Sequence, residues 1–195
     1  MATNHEPLKL NIGSGPEPKP GWINSDLHDF GGLVDLKADI RRLPFNSEVF
    51  TQILAESVLE HLNDPRPALA ELARLLHPSG QIEIRVPALG TNAAHLDPTH
   101  RYLADLKHWQ ELMLEHFEWV KVRSIGVRWR QSRSLVLVQR LLISIMGWHD
   151  LAQCWILIGR RPRKQPVRII PSRWWLDQPQ NSAIAAATSD ANWPT

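Results

Sequence analysis

A chain of 195 residues with a hydrophobic share of 43% can bury one sizeable core and reads most simply as a single domain. Its formal charge of +2 is too small to argue for a nucleic-acid binder, and no nucleic-acid partner is expected. Cys154 is the only cysteine, which excludes an intrachain disulfide and a zinc site built on thiolates and fits a reducing, cytoplasmic setting.

The N-terminal M-A-T-N-H-E-P has no basic segment followed by an apolar one, so no secretory signal is expected. The most apolar run, residues 135–148, is broken by Gln139 and Arg140 and is too short to span a bilayer. A soluble protein is expected.

In chain order, Leu8, Leu10 and Ile12 alternate with Lys9 and Asn11 and run into Gly13-Ser14-Gly15. This is the pattern of a short strand ending in a glycine turn, where bare backbone can approach a ligand. Pro16, Pro18 and Pro20 argue against a long helix after the turn, and with it against a pyrophosphate seat at a helix N-terminus. Trp22 and Ile23 lead to Asp26, an acid at a strand end that arrives sooner than in the nicotinamide fingerprint. The turn therefore suits a ligand with a ribose and no pyrophosphate, although a G-x-G alone also describes a tight turn with no ligand.

Residues 33–39 read as a short strand ending on Asp39, and residues 50–55 as a buried strand leading into E-S-V-L-E-H-L. Asp64-Pro65 starts a helix in which Ala68, Leu69, Leu72, Leu75 and Leu76 recur at helical spacing, and Pro78-Ser79-Gly80 stops it. Ile82, Ile84 and Val86 mark another strand, and residues 88–100 a loop. A helix over 105–116, a strand over 119–125, a helix over 134–146 and a last strand over 154–159 complete the pattern. Strands alternating with helices imply an α/β sheet, mostly parallel, with ligands beyond the carboxyl ends of the strands. Asp26, Asp39, Glu56 and the loop after Pro87 fall on that edge.

Residues 1–162 are expected to form the domain and 163–195, basic at first and then small and polar, a tail with too little apolar surface to order fully. Of the nine tryptophans, Trp109, Trp119, Trp129, Trp148 and Trp155 lie in apolar segments and are expected in the core, while Trp174, Trp175 and Trp193 fall in the tail. Arg123, Arg128, Arg130 and Arg133 could rim an anionic acceptor or a membrane surface, though scattered arginines more often make a solvated face.

L-N-I-G-S-G, W-I-N-S-D, A-D-I-R-R-L-P-F, E-S-V-L-E-H-L, L-L-H-P-S-G and Q-I-E-I-R-V-P, in this order and spacing, resemble successive motifs of class I S-adenosylmethionine-dependent methyltransferases, closest to small bacterial members of the methyltransferase type 11 kind. The resemblance implies a Rossmann-like sheet of seven strands, mostly parallel, in which the final strand over 155–159 runs antiparallel between its neighbours. It implies S-adenosylmethionine as cofactor, with Gly13, Ser14 and Gly15 under the methionine part and Asp26 on the ribose hydroxyls. Asp39 and the backbone of Ile40 would meet the adenine, and Glu56, Ser57 and His61 would close the pocket beneath the sulfonium. Asn11 departs from the acid many members carry before the turn, and the first helix is almost absent.

The bland readings stand beside these. Asp26 could be a solvated turn acid, Asp39 could pair with Arg41 or Arg42, and His61 could be a packed histidine. Methyl transfer from a sulfonium needs alignment of the acceptor and, for a hydroxyl, a general base. The loop His95-Leu96-Asp97-Pro98-Thr99-His100 supplies candidates: His100 or His95 as base, with Asp97 orienting it. A metal held by His95, Asp97 and His100 is set aside, because two histidines and one acid in a short loop are not enough to prefer it, and no metal is expected. The alternative in which Asp97 merely starts a helix keeps nearly equal weight.

The resulting expectation is a single-domain methyltransferase, monomer or homodimer, acting on a small-molecule or glycan-like acceptor, with oxygen slightly preferred. An N- or C-methyltransferase would share the cofactor pocket. The competing reading is a non-catalytic module of the same fold whose basic tail serves a partner or a membrane surface.

Overall fold

The computed structural model describes residues 8–126, 133–146 and 153–166. Its centre is a seven-stranded sheet of order β3-β2-β1-β4-β5-β7-β6, built from β1 (Leu8–Ile12), β2 (Ile23–Asp26), β3 (Leu36–Lys37), β4 (Phe50–Glu56), β5 (Leu76–Pro87), β6 (Phe117–Ile125) and β7 (Cys154–Pro162). The first five strands pair in parallel. β7 enters antiparallel between β5 and β6, so the inserted last strand takes the place expected of it.

The central strands carry the core. Leu10, Phe50, Ile53, Ile82, Ile84 and Leu157 are all buried, because a sheet covered on both faces needs apolar side chains on both. Helix α1 (Arg66–Leu75) contributes Ala68, Leu69, Leu72 and Leu75, and α3 (Leu106–His116) contributes Trp109, Leu112 and Met113. At the start of α1, Pro65 has helical angles and is itself the N-cap, one residue after the Asp64 expected there, while the Asp64 carboxylate accepts from Arg66 N. Asp105 caps α3 by accepting from His108 N. Helices α2 (Asn92–His95) and α4 (Arg133–Met146) complete the described elements.

Four expectations are corrected. The strand expected over 33–39 shortens to Leu36–Lys37: Leu33 and Asp35 are exposed, and the Asp35 carboxylate is spent on Asn24 N. The helix expected to include Leu76 ends at Leu75, since Leu76 is extended and pairs with Phe50 in the sheet. The loop over 88–100 contains the single turn α2, which Thr91 caps by accepting from Ala94 N. Trp119 is 41% exposed because it faces outward on edge strand β6, where the Arg160 guanidinium lies 5.1 Å from its ring centroid; Trp109 and Trp155 are buried as expected. Residues 167–195 of the expected tail, with Trp174, Trp175 and Trp193, lie outside the described residues, as do Trp129, Trp148, Arg128 and Arg130.

No helix among the described residues is long and apolar enough to cross a membrane.

Candidate functional site

Strand β1 delivers the glycine turn to the carboxyl edge of the sheet. Gly13 N and Ser14 N both donate to Ser25 O on β2, and Gly13 and Gly15 have φ of +66° and +56°. A Cβ on Gly13 would meet Val58 Cγ2 at 2.1 Å, whereas a Cβ on Gly15 would point into open space. Gly13 thus serves close packing against the segment after β4, and Gly15 leaves the ligand side of the turn bare.

Asp26 ends β2 and closes the turn: its Oδ2 accepts from Gly15 N at 3.0 Å and its Oδ1 from His28 N at 2.9 Å. Each oxygen keeps further acceptor capacity for a hydroxyl. Asn11, buried beneath, donates its amide to Asn24 Oδ1 at 2.9 Å. Asn24 in turn accepts from Lys19 N and donates to Lys19 O, Trp22 O and Asp35 Oδ2. An acid at position 11 would set acceptor against acceptor there. Asn24, through Lys19 N and Lys19 O, ties the proline loop 16–20 to the sheet in place of the absent helix, and Asn11 supports Asn24 from below.

Along the same edge, Asp39 lies two residues beyond β3, and its carboxylate is held by the Arg41 guanidinium, bidentate through Nε and Nη2, and by Arg41 N. That pairing holds its pKa below the usual carboxylate range. Ile40 is buried beside it. Both Glu56 oxygens accept from Arg85 Nη1, at 2.9 and 3.0 Å, and Ser57 is exposed in the left-handed region at φ +53°.

The loop after β5 folds back on the 3-10 turn Leu59–His61, because Arg101 N and Tyr102 N both donate to Glu60 O, at 2.8 and 2.9 Å. This brings His100 against His61, with ring centroids 4.8 Å apart. His100 Nδ1 donates to Ala94 O at 2.9 Å; a carbonyl can only accept, so the lone pair of this imidazole is on Nε2. The Thr99 hydroxyl donates to Asp97 Oδ1 and lies 3.0 Å from His61 Nδ1. With that proton committed, Thr99 Oγ1 accepts from Nδ1–H, and the lone pair of His61 is also on Nε2. Asp97 Oδ2 is 3.8 Å from His100 Nε2, so the group orienting His100 through Nδ1 is Ala94 O, while Asp97 holds Thr99. His95 is exposed and its Nε2 accepts from Gly90 N at 3.2 Å.

Glu60, which sequence reasoning passed over, is the most unusual group of the edge. It is 1% exposed, neither carboxylate oxygen has a hydrogen-bond partner, and it borders a recess walled by Val86, Pro87, Tyr102, Ala104 and Trp109. Burial in these surroundings pushes its pKa up to about 7. Burial likewise pushes the Cys154 thiol up to about 11, which leaves it a poor nucleophile.

The strand order, with β7 inserted antiparallel, is the class I methyltransferase architecture. A methyltransferase-domain family model matches residues 21–84, from the end of the proline loop into β5. No curated protein sequence matches the chain. Among solved structures, a SAM-dependent methyltransferase of Thermotoga maritima, titled a possible histamine N-methyltransferase, superposes with a TM-score of 0.61 at 15% identity, over 80% of this chain and 83% of that one. A SAM-dependent methyltransferase of Archaeoglobus fulgidus gives 0.58 at 16% identity, over 80% and 86%. Phosphoethanolamine N-methyltransferase 2 of Haemonchus contortus, in complex with S-adenosyl-L-methionine, gives 0.52 at 14% identity, over 80% and 49%. In its fold and over residues 21–84 the chain is similar to class I SAM-dependent methyltransferases, one of which is seen in complex with S-adenosyl-L-methionine.

The residues present fit that cofactor. The Ser14 hydroxyl oxygen is buried without a partner at the turn, Gly15 leaves space where a Cβ would stand, and the Asp26 carboxylate closes the same turn.

Proposed function

We propose that the chain catalyses methyl transfer to an oxygen of a small-molecule or glycan-like acceptor. Gly13, Ser14 and Gly15 would hold the methionine part of the cofactor and Asp26 its ribose, with Asp39 and Ile40 at the adenine and Glu56, Ser57 and His61 beneath the sulfonium. When bound, S-adenosylmethionine supplies an activated methyl group. The protein's part is then to align the acceptor, exclude water and take up the acceptor's proton.

The observation that supports an oxygen acceptor most is His100. Its Nδ1 proton is spent on Ala94 O, so Nε2 carries the lone pair a base needs, and the loop holding it is tied to the end of the segment after β4. Asp97, 3.8 Å from Nε2, would stabilise the imidazolium once formed. His95, committed to Gly90 N, is the weaker candidate base.

The test is transfer of a radiolabelled methyl group to cell extract, followed by identification of the labelled product. His100→Ala is expected to lower labelling by about 10²-fold or more, the usual contribution of a positioned base, while affinity for S-adenosylhomocysteine stays at the wild-type value. Equal labelling by the two proteins would remove His100 as base. A label found on nitrogen or carbon would overturn the oxygen assignment, and no labelled acceptor at all would favour the non-catalytic module.

A further inference from the structure

We propose that Glu60, His61 and His100 form a binding site for a divalent transition-metal ion. One ligating atom from each of these side chains lies within 4.8 Å of the other two. The set comes from two separate segments, the 3-10 turn and the loop after β5, and differs from the His95, Asp97 and His100 combination that sequence spacing suggested.

Three independent features make this a site rather than a coincidence of side chains. The Glu60 carboxylate is 1% exposed and both its oxygens lack a hydrogen-bond partner; such a group is expensive to keep unless a cation completes it. Both imidazoles are held in one tautomer by an oxygen on Nδ1, Ala94 O for His100 and Thr99 Oγ1 for His61, which is how outer partners orient metal-ligating histidines and free Nε2 for the ion. The Thr99 contact is itself buttressed by Asp97. Finally, Arg101 N and Tyr102 N both bond Glu60 O, so the backbone clamps the two segments together at the ligand set.

Bonds of about 2.1 Å require donors about 3 Å apart, so binding draws the three side chains inward. Two imidazoles and one carboxylate favour first-row transition ions over Mg²⁺ or Ca²⁺, whose preference is for oxygen. Three protein ligands also leave positions open. That an acceptor oxygen occupies one of them rests on the oxygen-methyl reading above. In that case His100 Nε2 is a ligand and no longer the base, and the ion would take over the task of favouring the deprotonated oxygen. Binding of the ion does not depend on that reading.

The experiment is titration of EDTA-stripped protein with Co²⁺, read by its visible ligand-field absorption and by melting temperature. The expected result is one equivalent per chain, a raised melting temperature, and no displacement by excess Mg²⁺. Glu60→Gln and His100→Gln are each expected to weaken binding by at least about 10-fold and to abolish the thermal shift, while metal-free far-UV spectra match wild type. Absence of the bands at millimolar Co²⁺, or bands that persist in both variants, would overturn the site; displacement by Mg²⁺ would overturn the choice of ion class. The readout needs no cofactor, so a failure of S-adenosylhomocysteine to bind would count against the methyltransferase reading alone.

Discussion

Gly13→Ala is expected to destabilise the protein by about 2–5 kcal/mol, from a left-handed residue costing about 1–2 kcal/mol and an overpacked contact costing about 1–3 kcal/mol. The backbone at Gly13 has φ +66°, and the new Cβ would stand 2.1 Å from Val58 Cγ2. Val58 is β-branched and cannot swing a long side chain aside; relief requires moving the segment that carries Glu60 and His61. A small domain has only about 5–15 kcal/mol to lose. Gly15→Ala meets the same φ restriction with nothing in its way and is expected to lose only the backbone share. Urea denaturation of both variants, with Val58→Ala added to the first, checks the account: the double variant recovers part of the loss. Equal losses at Gly13 and Gly15, or no recovery, would contradict it.

Glu60→Gln is expected to stabilise the metal-free protein at pH 8 by about 3 kcal/mol, the free-energy equivalent of the raised pKa, and to change it little at pH 4.5. Burial raises the carboxyl from 4.5 to about 7, so the folded state holds this proton more tightly than the unfolded chain. The charge therefore costs stability above the unfolded value, and the cost grows as pH rises from about 4.5 to about 7 and then levels off. His108 and His116 work in the opposite sense. Burial lowers them to about 3 and about 4, so the fold loses stability as pH falls below about 6.5. Those losses are common to both proteins and cancel in the difference between variant and wild type. Denaturation across pH 4.5–8 in EDTA reads that difference directly. A flat difference would mean that the carboxylate finds a partner in solution.

Much of this arrangement is legible in the residues. Alternation in Leu10 and Ile12 and in Ile82, Ile84 and Val86 marks strands because each faces the core, whereas Leu8 at the start of β1 is 46% exposed, and Asp64-Pro65 announces the start of a helix. The antiparallel insertion of β7 is different: no local pattern encodes which neighbours Trp155 to Gly159 will find, and only the resemblance to a family carried it. Asp39 beside Arg41 shows the limit at the level of one side chain, since the sequence offers both an acid at the adenine and a local ion pair, and the structure shows the ion pair. Glu60 was not legible at all. A glutamate next to a histidine reads as solvated, because charged residues are rarely buried, and its burial arises from the return of the loop at Arg101 and Tyr102 far along the chain. The tautomers of His61 and His100 depend equally on Thr99 and Ala94, which carry no signal in a one-dimensional pattern.

The central claim is that the glycine turn and Asp26 together hold S-adenosylmethionine. Calorimetric titration with S-adenosylhomocysteine tests it most directly, comparing wild type with Asp26→Ala. The account predicts binding by the wild type and a loss of at least about 10-fold in the variant, because charge-assisted hydrogen bonds to the hydroxyls, each worth about 1.5–3 kcal/mol, disappear. No binding by the wild type at millimolar ligand, or an affinity that Asp26→Ala leaves unchanged, would contradict it.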